Sequence, residues 1–211
     1  MIESLKHRIQ NQTEDLLFFF KGVEPFSNTK RILIDIDFQK YLENGHYNEV
    51  KSFLNHRNFS ILGTNKLSWI RLSNGLMSIY RENEYDKKIV YEIAENIGFK
   101  GQRNISVENK YTWNNEKENW IGGLSQIRMA TLFLFYFIIW EEELFLDLSD
   151  SLLSSAIENC SKKNTFFIQE YPNSGPKYKD VINCELFFIL HLLNRRRIEK
   201  FRFDYELDNH I

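Results

Sequence analysis

Apolar positions recur every three or four residues along most of this chain, the spacing of an amphipathic helix. One stretch abandons that spacing. From Met129 to Trp140 the chain holds one hydroxyl (Thr131), one phenol (Tyr136) and no charge, and the run stops at Glu141-Glu142-Glu143. A bilayer-spanning helix needs about 18 or more apolar residues, so this shorter run predicts a helix buried at the centre of a protein core.

Around it the pattern predicts further helices. Residues 2–21 carry Leu5, Ile9, Leu16, Leu17 and Phe20 roughly on one face, ended by Gly22 and Pro25. Helices are also expected over His46–Asn55, over Leu67–Tyr80, and over Asp86–Ile97 with Gly98 as the C-cap. The central helix is placed at Trp120–Trp140. Glu141–Asn159 either continues it or turns into the next helix, and Tyr178–Lys200 forms the last one.

Three segments carry strand-like alternation. They are Arg31–Phe38, which also fits a helix, Ile105–Tyr111, and Phe201–Asp208, an edge strand or an extended tail. Lys100–Asn119 is polar and Asn-rich, and is the place for a mobile loop or a sub-domain boundary. The fold expected is therefore mainly α: a single-domain bundle over 1–211 of about seven or eight helices around a buried central helix near 120–140, with one or two short strands.

Composition adds a class and a setting. Charged residues are 27% and hydrophobic residues 43%, which places the chain with folded globular proteins. Aromatics reach 15%, so rings are expected to supply much of the core energy. Only three prolines and nine glycines interrupt the chain, which favours helices over many short strands. Alanine is scarce while Asn, Ile, Lys and Phe are abundant, the bias of an AT-rich bacterial or phage gene. Met1–Arg8 contains Glu3, Lys6, His7 and Arg8 with no apolar segment behind it, so a cytoplasmic protein is expected. Cys160 and Cys184 belong to no C-x-x-C pair and are expected to be buried, reduced thiols.

Several chemistries lack their motifs. Neither a G-x-x-x-x-G-K-[ST] loop nor a G-x-G-x-x-G turn is present. Gly122-Gly123 lies ahead of the apolar run of the central helix, where paired glycines serve close packing more often than anion binding. The small helical ribonucleases use Arg followed four to six residues later by His, a spacing this chain does not contain. Glu108-Asn-Lys110 matches the carboxylate–lysine piece of metal-dependent nucleases, but Glu49-Val-Lys51 and Asp86-Lys-Lys88 match it too, so the pattern carries no weight. No catalytic, cofactor or metal residue is singled out, and a non-enzyme is expected.

Two charged surfaces remain. Glu141, Glu142, Glu143, Asp147 and Asp150 form an acidic run with no basic residue between them. If the stretch is helical, Glu143, Asp147 and Asp150 share a face beside an apolar face of Leu144, Leu148 and Leu152. Arg195, Arg196, Arg197, Lys200 and Arg202 form a basic run, explained by cations meeting a helix C-terminus or by phosphate contact. The expected function is non-catalytic: binding and neutralising a basic protein partner such as a toxin domain, in the manner of an immunity protein, through the acidic run. Nucleic acid is disfavoured and no membrane partner is expected. The alternatives are a helical RNA- or DNA-binding or RNA-acting defence protein that uses the arginines, and an enzyme whose site is assembled from scattered residues.

Overall fold

The computed structural model describes residues 46–56, 58–83, 87–98, 105–113, 116–161, 168–172 and 182–209. These form six α-helices: α1 His46–His56, α2 Trp69–Asn83, α3 Lys87–Asn96, α4 Gly123–Trp140, α5 Glu143–Cys160 and α6 Ile182–Asn209. A 3₁₀ turn, Phe59–Ile61, and a two-stranded antiparallel sheet of β1 Glu108–Asn109 and β2 Trp120–Ile121 complete them. The helix expected over 2–21 and the ambiguous stretch 31–38 lie outside the described residues.

α4 is the centre. It is apolar on every side, as a helix surrounded by protein must be, and every residue from Ser125 to Ile138 is buried. By length and composition it could cross a membrane, yet 83% of its span lies inside the structure. α2, α5 and α6 pack directly on it. The α4–α5 contact is aromatic: Phe133 stacks on Phe145 with centroids 6.2 Å apart, and Tyr136 and Trp140 close over the same ring. The Ser149 hydroxyl donates to the Ala130 carbonyl at 2.9 Å, so this small polar group enters the core already satisfied.

The chain reverses between α4 and α5 without glycine or proline. Glu141 takes the left-handed conformation at φ 56°, and its N–H donates to the Phe137 carbonyl at 2.7 Å. That is the left-handed C-terminal stop, here made by a glutamate. α5 is a separate helix and does not continue α4. α6 runs parallel to α4, because Arg128 meets Phe187 and, one turn on, Thr131 meets His191. α1 reaches α2 through Gly75, where a Cβ would fall 2.4 Å from Val50 Cγ2.

Three boundaries differ from the sequence expectation. Trp120-Ile121 pairs with Glu108-Asn109 as strand, so α4 begins at Gly123. Of the strand expected over Ile105–Tyr111, two residues form a ladder. The tail Phe201–Asp208, expected as an edge strand or an extended tail, is helix: α6 continues through it to Asn209. Ile198, Phe201 and Tyr205 also fit a helical stripe, and extending an existing helix avoids the cost of nucleating a new one. Gly98, by contrast, sits after α3 at φ 98° as its cap spacing predicts.

Cys160 and Cys184 are free, buried thiols in a small apolar cluster with Ile127, Ala156, Ile168 and Phe188. Burial pushes the Cys160 thiol up to about 12, with Glu116 adding to the effect, and raises Cys184 as well. Neither is a nucleophile at neutral pH.

Candidate functional site

The acidic run sits at the α4–α5 turn and down the outer side of α5. Glu141, Glu143 and Asp147 are exposed. The expected apolar face is present beside them: Leu148 and Leu152 are fully buried and Leu144 packs against the core. Glu142 and Asp150 make ion pairs with neighbouring helices. Glu142 forms an ion pair with Lys87 of α3, whose ammonium also lies over the Trp140 ring. Asp150 is gripped by Arg195 of α6, with Nε and Nη2 donating to its two oxygens at 2.9 Å each.

That last contact joins surfaces which look like alternatives in the sequence. The Arg195 side chain is only 18% exposed, and its Nη1 lies 3.0 Å from a Glu199 carboxylate oxygen, an ion pair one turn along α6. A bidentate guanidinium–carboxylate pair is the strong form of this interaction. The hydrogen bonds and charge of Asp150 hold Arg195 above its ordinary pKa despite partial burial. Arg196 is exposed and Arg197 half-buried. Lys200 and Arg202 lie on the same helix, with their side chains outside the described residues. The arginines are not at a helix end, since α6 runs on to Asn209. A macrodipole acts only within the last turn, so it does not account for the cluster. Arg195 serves as an internal clasp between α5 and α6.

Beneath the clasp lies a buried polar seam that the sequence did not flag. Arg128 is 1% exposed on the core helix, hydrogen-bonded to Asn74 of α2, with its guanidinium 4.3 Å from the Phe187 ring centroid. His191 Nδ1 and the Thr131 hydroxyl are 3.2 Å apart. His191 Nε2 and both amide atoms of Asn194 have no hydrogen-bond partner among the described residues, although both side chains are fully buried. Unsatisfied buried polar groups are costly. The only signal for them was that a His and an Asn stand in the apolar stripe of α6.

Burial lowers the His191 pKa to about 4; Asp150 opposes the shift and Arg195 assists it. The imidazole is therefore neutral in the folded protein, while an unfolded chain takes up its proton below the ordinary value of 6.5. The unfolded state then binds more protons, so stability should fall as pH falls from 6.5 toward 4. We expect a loss of up to about 1.4 kcal/mol per pH unit from this residue. Chemical denaturation of wild type and His191→Gln at several pH values isolates it: equal pH slopes would show that His191 does not titrate this way.

At the other end of α4, Gly122-Gly123 serves close packing. The Gly123 N–H donates to the Gln169 carbonyl at 3.2 Å, and a Cβ at Gly122 would meet the Trp120 ring at 2.5 Å. Nearby, Trp113 stacks on Tyr171 with centroids 6.1 Å apart, and Trp120 and Tyr111 continue the cluster. Among the described residues, no three His, Cys, Asp or Glu side chains converge to hold a metal ion. No match to the chain was found among protein-family models, curated proteins or solved structures.

Proposed function

We propose that this chain binds and neutralises a basic protein partner, in the manner of an immunity protein toward a toxin domain, and that the α4–α5 corner is the docking surface. One observation carries the proposal. Glu141, Glu143 and Asp147 are exposed together on a helical hairpin rooted in the most buried helix, and Glu142 and Asp150 beside them are ion-paired with Lys87 and Arg195. Tethering makes the corner rigid, and a pre-organised surface loses less entropy on binding. Exposed like charges on such a surface steer an oppositely charged partner and raise the association rate. The involvement of Arg195 with Asp150 weighs against an arginine surface offered to phosphate.

Co-expression tests the proposal. Wild type should restore growth to cells producing a toxic protein encoded by the adjacent gene. The triple change Glu141→Lys, Glu143→Lys, Asp147→Lys should abolish the rescue. Exposed substitutions usually alter stability by less than about 0.5 kcal/mol each, so the variant should remain folded by circular dichroism. Full rescue by the folded triple variant would move the interface away from this corner. No rescue by wild type would overturn the neutralising role.

A further inference from the structure

A second surface lies across the molecule's short sheet, and it is independent of the docking corner. The segment 105–110 alternates strictly. Ile105, Val107 and Asn109 are buried, while Ser106, Glu108 and Lys110 face outward. The inward side is locked. The fully buried Gln126 of α4 accepts from the Val107 N–H at 2.9 Å and donates to the Val107 carbonyl at 2.7 Å. The Lys110 N–H donates to the Gly63 carbonyl and the Trp69 indole N–H to the Glu108 carbonyl, both at 2.9 Å. Gly63, at φ 77°, permits this approach: a Cβ there would fall 2.5 Å from the Glu108 carbonyl oxygen.

The outward side therefore stands on a rigid backbone, and it forms one wall of a cleft of about 400 Å³. The lining also includes Leu62, Trp69 and Ile97. The volume falls within the range of small-molecule sites, which combine apolar walls with a few placed polar groups. Neither the Glu108 carboxylate nor the Lys110 ammonium has an ion-pair partner among the described residues. They stand two residues apart on one strand face, about 7 Å between Cα atoms, with Ser106 next in line.

From this arrangement we infer that the cleft binds a small zwitterion with an apolar body, the chemistry of a free apolar amino acid or dipeptide. Its ammonium pairs with Glu108, its carboxylate with Lys110, and its side chain lies against Trp69, Leu62 and Ile97. A simple anion would be repelled by Glu108 and a simple cation by Lys110. Opposite charges fixed side by side favour a ligand that carries both.

The test follows the Trp69 indole N–H, which is bonded inside this wall, by ¹⁵N–¹H NMR, with Trp69→Phe used to assign the resonance. The probes are L-phenylalanine and L-leucyl-L-phenylalanine, against N-acetyl-L-phenylalanine, which lacks the ammonium, and L-phenylalaninamide, which lacks the carboxylate. The zwitterions should shift the resonance and bind at least about tenfold tighter than either derivative. Glu108→Gln should erase the preference over the N-acetyl compound, and Lys110→Met the preference over the amide. Both positions are exposed, so both variants should fold like wild type. The inference is overturned if no zwitterion shifts the resonance at about 10 mM, if a derivative binds as tightly as the zwitterion, or if the variants keep both preferences.

Discussion

Replacing Phe135 with alanine should cost about 3–5 kcal/mol of folding stability, the range for an aromatic deleted from a packed core. Phe135 is fully buried on α4, in edge contact with Tyr136 at 5.4 Å, and α4 is enclosed by α2, α5 and α6. A neighbouring side chain cannot swing in to fill the space without leaving its own packed position, so the cavity persists. Urea denaturation measures the loss directly. A change below about 0.5 kcal/mol would mean that the site is effectively a surface one and that the centre of the protein lies elsewhere.

Gln126→Leu should be comparably damaging by a different route. Leucine keeps the apolar bulk of the position but strands the N–H and the carbonyl of Val107, both now paired with the amide. Each buried group left without a partner costs about 1–3 kcal/mol. The effect should be local as well as global. Hydrogen exchange over 105–110 should accelerate more than exchange in α4 or α5, because those helices keep their own hydrogen bonds. Gln126→Glu distinguishes geometry from polarity: it preserves an acceptor for the Val107 N–H and places an oxygen against the Val107 carbonyl. Unaltered stability in Gln126→Leu would show that the clamp contributes nothing to holding the strand.

The helices that were legible in the sequence are those whose burial follows from neighbours three and four residues away. α3 is an example: Val90, Ile93 and Ala94 are buried and Gly98 ends it. The α4–α5 reversal was only half legible. The change from apolar run to glutamates marked the spot, but a left-handed glutamate leaves no mark comparable to glycine or proline. Trp120-Ile121 read as the first turn of a helix because its apolar residues continue that pattern. The pairing that makes it a strand comes from Glu108-Asn109. The tail over 201–208 misled in the opposite sense, because its alternation also contains spacings that a helix accepts.

The candidate surfaces divide in the same way. The five carboxylates and the run of basic residues could be read off the chain. Their relation could not: Asp150 and Arg195 are 45 positions apart and meet only because α5 and α6 flank the same core helix. The Glu108-Asn-Lys110 triplet was indistinguishable from its copies in the sequence. Glu49 and Lys51 fall on the α1 helix, whereas Glu108 and Lys110 fall on one face of an extended segment walling a cleft.

By itself, then, the sequence determined the mainly helical class, the central position of the 129–140 run and the faces that α3 and α5 bury. These depend on periodicity, a property of residues a few positions apart. Tertiary structure alone decided which distant charges pair within the protein, which carboxylates of the acidic run are exposed, and which strand side chains share a cavity. Those outcomes depend on contacts between residues far apart in the chain, whose distances no local pattern encodes.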